Sequence, residues 1–220
     1  MCYIFRPRLA EVMLSCHSLG NKRFHVPKTL NKGLPGLLLE NFTGIKSSSA
    51  CLDCRDGELK LYPVKRLKKK GKTNLAGELV PKETVAITMV KPEDLLVTPW
   101  DNSRVKKKIR QILFVAYLRD KEYITFPYMH HMSFYNPEHY EYYTTFARDY
   151  YMIKEHYRKY GSISGDIGKY IQYRTKGLGG NAPKTRAFYF RTNVMNSLEK
   201  IELNGSDTLS LQNLYYKSLF

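Results

Sequence analysis

Hydrophobic and polar residues alternate along the chain with two spacings, one helical and one typical of strands. Apolar positions at helical spacing predict a helix over Leu34–Phe42, ended by Gly44, and a long helix over Pro137–Tyr160. Alternating or β-branched runs predict strands at Glu58–Val64, Val85–Val90, Ile112–Leu118 and Ala187–Arg191. A short helix through Leu198 follows the last strand.

The order of these elements defines the fold class. The segment Asn102–Arg110 is predicted to be a short helix or the lead-in to the next strand. The lysine-rich segment Lys65–Lys72 is predicted to be an exposed turn. Helices and strands are interleaved, so the predicted class is α/β (α+β). The chain shows no internal repeat and no linker-like segment, which predicts one compact domain over residues 1–220 with two lobes at most.

Composition narrows the possible classes of protein. The 220 residues include 43% hydrophobic residues, so the chain can fold and is not a disordered basic tail. No apolar run reaches the roughly 18 residues of a membrane span, which predicts that the protein does not enter a membrane. The amino terminus has Arg6, Arg8 and Glu11 and no cleavage site for a signal peptide, which predicts a cytoplasmic protein.

The charge points to a polyanionic partner. Lys and Arg number 36 against 20 Asp and Glu, a formal net charge of +16. Residues 55–110 carry +8 and residues 158–191 carry +7, whereas residues 111–157 carry −2. Two basic regions around a near-neutral middle suit a chain that contacts double-stranded DNA from two sides; two solvated loops are the alternative.

Four cysteines are too few for a disulfide scaffold in a chain of this length. Cys51 and Cys54 form a CxxC pair, but Cys2 and Cys16 are not spaced as a second pair of zinc ligands. Buried free thiols in an intracellular protein are therefore the prediction.

The segment that carries candidate chemistry runs from Asp53 to Lys60. Glu58 and Lys60 are two positions apart on a predicted strand, so their side chains project from the same face. Asp53 arrives from the preceding segment, although Asp56 could replace it. Two carboxylates at one point need a cation, and a hard divalent ion with oxygen ligands suits them. A lysine beside such an ion suits metal-assisted phosphodiester hydrolysis; a surface strand of ion pairs is the alternative.

Glu40 is a second unusual acid. It lies near the end of the apolar helical stretch, where a carboxylate is costly unless it faces solvent, a cation or a metal.

These segments, taken in order, resemble the MutH family and the related type II restriction enzymes that cut at GATC, within the PD-(D/E)xK nucleases. The resemblance is carried by KGLPGLLLE ending at Glu40, by Asp53 followed by Glu58-Leu-Lys60, and by the segment SRVKKKIRQILF from Ser103. It continues through Arg174-Thr-Lys176-Gly and the strand around Tyr189, so that it spans residues 31–198. Four residues separate Asp53 from Glu58, which is the spacing of the MvaI-type enzymes rather than the six of MutH.

The resemblance implies a restriction-endonuclease-like core, a mixed central sheet flanked by helices. Its two lobes would form a DNA cleft, with residues 1–110 catalytic and residues 111–220 for DNA recognition. It implies one or two Mg²⁺ ions held by Asp53, Glu58 and Glu40, with Lys60 and Lys108 completing the catalytic set. The implied DNA-binding residues are Lys106, Lys107, Arg174, Lys176, Tyr189 and Arg191.

The predicted function is a sequence-specific DNA endonuclease that leaves 5′-phosphate ends, as a type II restriction enzyme with GATC as its default site. No nucleotide cofactor is expected, since the G-x-G-x-x-G pattern is missing. Restriction predicts a homodimer that cuts both strands. Two alternatives remain: a MutH-like repair nickase that acts as a monomer, and a catalytically inactive DNA-binding module on the same fold.

Overall fold

A computed structural model of the chain describes residues 6–26, 33–45, 50–69, 75–176 and 185–203. Its helices are α1 (Leu9–His17), α2 (Leu34–Thr43), α3 (Pro92–Val97), α4 (Arg104–Ile109), α5 (Tyr140–Tyr160) and α6 (Thr192–Ser197). Its strands are β1 (Phe24–His25), β2 (Glu58–Arg66), β3 (Leu79–Pro81), β4 (Val85–Met89), β5 (Gln111–Arg119), β6 (Tyr123–Thr125), β7 (Tyr128–Ser133), β8 (Ile171–Lys176), β9 (Thr185–Phe190) and β10 (Ile201–Glu202).

Strand β5 lies at the centre of the larger sheet. On one edge it pairs in parallel with β2, from Glu58 opposite Ile112 to Val64 opposite Leu118. On the other edge it pairs antiparallel with β7 and, at its end, with β6. Three further strands extend this sheet: β3 pairs with β2, β1 pairs with β6, and β10 pairs with β7. The sheet is therefore mixed, as predicted.

The apolar run of β5 is explained by burial on both faces of the sheet. Ile112, Phe114 and Ala116 belong to one hydrophobic core, and Leu113 and Val115 to another. Successive side chains of a strand point to opposite faces, so a strand covered on both sides reads as a continuous apolar run.

Each face of the sheet has its own covering elements. The first core includes side chains of α4, α5, α6 and a smaller antiparallel sheet in the order β4-β9-β8. The second core includes side chains of α1 and α2. The mixed α/β class with flanking helices agrees with a restriction-endonuclease-like fold.

Most predicted elements are confirmed within a residue or two. The helix that was predicted to end at Gly44 ends there, and Gly44 has the left-handed φ of +70° that favours glycine. The predicted long helix corresponds to α5, which begins at Tyr140. The first three residues of the predicted helix, Pro137–His139, form a 3₁₀ helix that leads into it. Of the predicted lysine-rich turn, residues 70–72 lie outside the described residues. The division into lobes at residue 110 stays a prediction, and the central sheet crosses it by pairing β2 with β5.

Candidate active site

Glu58 is the centre of a buried ionic cluster at the start of β2. Its side chain is only 1% exposed. Glu58 Oε1 accepts a hydrogen bond from Lys60 Nζ at 2.6 Å. Lys108 Nζ donates to both carboxylate oxygens of Glu58, at 2.7 and 2.8 Å. The structure thus brings together three of the predicted catalytic side chains.

Lys60 reaches Glu58 because of the strand geometry. The two residues are separated by one position, so their side chains share a face of β2, as the sequence predicted. The Lys60 side chain remains 18% exposed, which leaves its ammonium group partly open to solvent.

Lys108 reaches the same carboxylate from helix α4. Ser103 caps the helix, since its Oγ accepts a hydrogen bond from Lys106 N at 3.0 Å. Val105 and Ile109 are fully buried and fix the rotation of the helix. Lys108 lies three residues from Val105, on the adjacent side of the helix. The parallel pairing of β2 with β5, which follows α4 directly, brings Lys108 to Glu58 across 50 residues of sequence.

Asp53 and Asp56, the two candidates for the acid beside Glu58, have different hydrogen-bond partners. Asp53 Oδ2 accepts a hydrogen bond from Leu59 N at 3.2 Å, so its carboxylate lies against β2 beside Glu58. Asp56 Oδ1 accepts a hydrogen bond from Leu9 N at 2.8 Å, at the first residue of α1. Asp56 therefore stabilises a helix N-terminus, and Asp53 is the acid next to the cluster.

The turn between these acids and β2 depends on Gly57. A Cβ atom at this position would lie 2.7 Å from a methyl carbon of Leu9 and 3.0 Å from the carbonyl oxygen of Gln111. Within the turn, Cys54 N donates to the carbonyl oxygen of Gly57 at 3.0 Å. The close approach of α1 and β5 thus fixes the segment that presents Asp53.

Burial of these three charged groups has a high desolvation cost, so the cluster contributes little to the stability of the fold. Removing a carboxylate and two ammonium groups from water carries a penalty that their attraction repays only in part. Apolar side chains of similar size would stabilise this position at least as well. Buried charges that a fold does not need are typical of functional sites.

The donor chemistry of Asp53 and Glu58 fits a hard divalent ion, since both supply carboxylate oxygens at the start of one strand. Glu40 lies on α2 and is half-buried. Among the described residues, no group of three or more His, Cys, Asp and Glu side chains is close enough to hold a metal ion. The structure therefore does not bring Glu40 together with Asp53 and Glu58, and its role at a metal stays a prediction.

Of the residues on β8 and β9 that are predicted to contact DNA, Arg174 and Tyr189 lie together. Arg174 is exposed, and its guanidinium carbon lies 4.1 Å from the centroid of the Tyr189 ring. Tyr189 is only 7% exposed beneath it. Lys176 is exposed at the end of β8, and residues 177–184, which follow it, lie outside the described residues.

Arg191 has partners within the protein. Its guanidinium donates hydrogen bonds to the carbonyl oxygens of Gly165 and Ile167. These bonds hold the loop before β8 against the start of α6. A contact of Arg191 with DNA stays a prediction.

Lys106 and Lys107 lie on α4 beside Lys108 but outside the Glu58 cluster. Lys106 Nζ donates to Asp101 Oδ1 at 2.5 Å, and Lys107 is exposed. Both residues line a surface cavity on the other side of α4.

Asp149 was not predicted from the sequence. It is 1% exposed on α5, and its carboxylate accepts hydrogen bonds from the backbone N–H groups of Lys169, Tyr170 and Ile171 at 2.7 to 3.0 Å. It therefore anchors the start of β8. The only signal in the sequence is an acid on the apolar face of an amphipathic helix.

The prediction of buried thiols is confirmed for Cys16 and Cys54, which are both fully buried. It is wrong for Cys51, which is a free cysteine that is only partly buried, and Cys2 lies outside the described residues. Burial raises the pKa of the Cys16 and Cys54 thiols to about 12. They are therefore protonated and unreactive at neutral pH.

Comparison with known proteins places this site in a family context. The family model described as DNA mismatch repair enzyme MutH matches residues 46–144. That range includes Asp53, Glu58, Lys60 and Lys108, whereas Glu40 and the residues of β8 and β9 lie outside it. No curated protein is significantly similar to the chain. The chain thus resembles MutH over residues 46–144, and at the level of the family the match supports a MutH-like nuclease, which implies DNA as the partner.

Within the described residues, no helix combines the length and apolarity needed to cross a membrane.

Proposed function

We propose that the protein is a Mg²⁺-dependent DNA endonuclease of the PD-(D/E)xK type. The observation that carries the proposal is the buried Glu58 carboxylate held between Lys60 and Lys108, with Asp53 bonded to the same strand. A catalytically inactive DNA-binding module would have no need of this costly arrangement.

Asp53 and Glu58 would hold the Mg²⁺ ion. When bound, the ion would supply Lewis-acid polarisation of the phosphate and lower the pKa of an attacking water. The ammonium group of Lys60, partly open to solvent, would orient that water. Lys108 would hold the scissile phosphate and offset the charge that builds on it. The water would lose a proton to solvent and its oxygen would bond to phosphorus while the bond from phosphorus to the 3′-oxygen breaks. The 3′-oxygen would take up a proton from solvent, which leaves a 5′-phosphate and a 3′-hydroxyl.

DNA recognition would involve β8 and β9. Arg174 and Lys176 are exposed cations on the same strand, and Tyr189 supports the Arg174 guanidinium. Arginine reads guanine bidentately in the major groove. GATC is the default site because the resembling enzymes cut there.

Two biological roles fit this chemistry. A type II restriction enzyme would act as a homodimer and cut both strands, and the Asp-x4-Glu spacing supports this role. A MutH-like repair nickase would cut one strand as a monomer, and the description of the matching family supports that role. The pattern of strand cleavage separates them.

Cleavage of a supercoiled plasmid with and without Mg²⁺ tests the proposal. Glu58→Gln keeps the shape of the side chain but removes its charge, and it should lower the cleavage rate by about 10³-fold. Glu83→Gln, at an exposed acid, is the matched control and should cut like the wild type. Equal rates for the two variants, or cleavage that persists in EDTA, would contradict the proposal. Nicked plasmid as the final product indicates a nickase, whereas linear fragments indicate restriction.

A further inference from the structure

A second site lies on the side of α4 that faces away from Glu58. It is an open cavity of about 420 Å³, which falls in the size range of small-ligand pockets. Its lining includes Lys106, Lys107 and Arg110 together with Phe134 and Tyr135. Lys106 and Lys107 belong to the implied DNA-binding residues, but neither the proposed catalytic mechanism nor the predicted recognition strands use the cavity itself.

Two aromatic rings from adjacent residues are exposed in the cavity. Phe134 is 47% and Tyr135 is 48% exposed. The two rings are nearly perpendicular, with their centroids 6.0 Å apart. A flat ring that stacks on one of them would therefore lie nearly perpendicular to the other, and stacked and perpendicular ring pairs are both favoured aromatic arrangements.

The cavity is also cationic. Arg110 is exposed, and its guanidinium carbon lies 4.9 Å from the centroid of the Tyr135 ring. Asp101 pairs with Lys106. Among the described residues, Lys107 and Arg110 are then the cations of the lining that form no salt bridge. A ligand that combines a flat ring with an anion would match both features.

The floor of the cavity is fixed by the core. Tyr143 is 5% exposed, and its hydroxyl lies 2.9 and 3.0 Å from the carbonyl oxygens of Ile109 and Arg110. Phe134 N donates to the carbonyl oxygen of Arg110 at 2.8 Å. The aromatic and cationic walls are therefore tied to one rigid junction at the end of the central sheet.

This junction lies close to the Glu58 cluster. Glu58 is opposite Ile112 on β5, and Ile112 is opposite Met132 on β7. Two strand spacings, about 10 Å, thus separate Glu58 from the strand that leads into Phe134. Helix α4 supplies Lys108 to the cluster and Lys106 and Lys107 to the cavity.

We propose that this cavity binds one nucleotide of a DNA strand that has left the base stack. Its base stacks on Phe134 or Tyr135, and its phosphate is held by Lys107 and Arg110. The neighbouring strand then runs along α4 toward Lys108. The proposal rests on the proposed function in taking DNA as the ligand, but binding in the cavity does not require cleavage.

The test compares two duplexes in EDTA, where no cleavage occurs. One is a fully paired 20-mer labelled with fluorescein, and the other has the same sequence with a single unpaired adenosine. A paired base must be extruded from the stack before it can enter the cavity, whereas the unpaired adenosine needs no base pair broken. The wild type should therefore bind the second duplex about tenfold more tightly by fluorescence anisotropy.

Two single substitutions should remove this preference. Tyr135→Leu removes an exposed stacking surface and Arg110→Gln an exposed cation, and neither side chain is part of the core. Each should reduce the preference to less than about threefold. Tyr160→Leu, at an equally exposed tyrosine at the far end of α5, and Arg158→Gln are controls that should keep it. Thermal melts confirm that each variant is folded.

The outcomes separate this proposal from the nuclease proposal. A wild type without preference for the unpaired base, or a preference that survives both substitutions, overturns the cavity as a nucleotide site even if the plasmid is cut. A preference that depends on Tyr135 and Arg110 in a protein that cuts no plasmid supports the site and overturns the nuclease. Failure to bind either duplex overturns both.

Discussion

Asp53 and Asp56 lie three residues apart, yet the structure gives them different tasks. The Asp53 carboxylate bonds to the backbone of β2, and the Asp56 carboxylate bonds to the first N–H of α1. Asp53→Asn should therefore abolish Mg²⁺-dependent cleavage with little change in stability. Asp56→Ala should keep the cleavage activity and lower the free energy of unfolding by about 1 kcal/mol, the usual effect of removing a side-chain acceptor from a helix N-terminus.

Plasmid cleavage and urea denaturation of the two variants provide the measurement, and each variant is the control for the other. The assignment of Asp53 to the metal would be wrong if Asp56→Ala lost activity while Asp53→Asn remained active.

At the scale of elements, strand β8 depends on a carboxylate about twenty residues upstream. Asp149 accepts three backbone hydrogen bonds at the start of this strand, and no side chain of β8 replaces it. Asp149→Ala should lower the free energy of unfolding by about 3 kcal/mol, because three N–H groups lose a charged acceptor at a largely buried position. Hydrogen exchange should increase first in residues 169–174.

Asp166→Ala is the control, since Asp166 is exposed in the same loop. Equal stability of the two variants would show that β8 is anchored by its pairing with β9 alone.

The elements also show which predictions can be made from local sequence. The run of β5 and the alternation of β2 were recognisable because burial on the sheet repeats every two residues. Strand β8 was not predicted, because its first half is buried and its second half exposed, and because Asp149 fixes its start from another element. Helix α1 was missed for a similar reason, since Asp56 on a distant turn binds its first N–H group.

In the candidate site, too, local sequence predicts some contacts, whereas others depend on residues that are distant in the chain. The shared face of Glu58 and Lys60 follows from strand periodicity alone. The contact of Lys108 with Glu58 needs the parallel pairing of β2 with β5, which no local pattern encodes, and only the family resemblance predicted it. The partners of Arg191 lie on a loop 24 and 26 residues away, which sequence reasoning did not detect.

For the whole molecule, a buried histidine makes stability depend on pH. His130 is 1% exposed, and its ring nitrogens bond to the Tyr62 hydroxyl and the Glu199 carbonyl oxygen. Burial lowers the pKa of His130 from 6.5 to about 4. The unfolded chain therefore takes up a proton that the folded protein does not, and stability is lost as pH falls from 6.5 to 4.

At pH 5 this single group should lower the free energy of unfolding by about 2 kcal/mol relative to pH 7. Urea denaturation at both pH values measures the loss. His130→Gln should reduce the loss by that amount, whereas His25→Gln, at an exposed position, should leave it unchanged. An unchanged loss in His130→Gln would contradict this origin.

The most direct test of the account is the rate of Mg²⁺-dependent plasmid cleavage by variants of three lysines. Lys60 and Lys108 bind the Glu58 carboxylate, whereas Lys65 is exposed on the same strand as Lys60. Lys60→Ala and Lys108→Ala should each cut at least about a hundredfold more slowly than the wild type, and Lys65→Ala at the wild-type rate. Wild-type rates for the first two variants, in protein that melts cooperatively, would contradict the claim that this cluster cuts DNA.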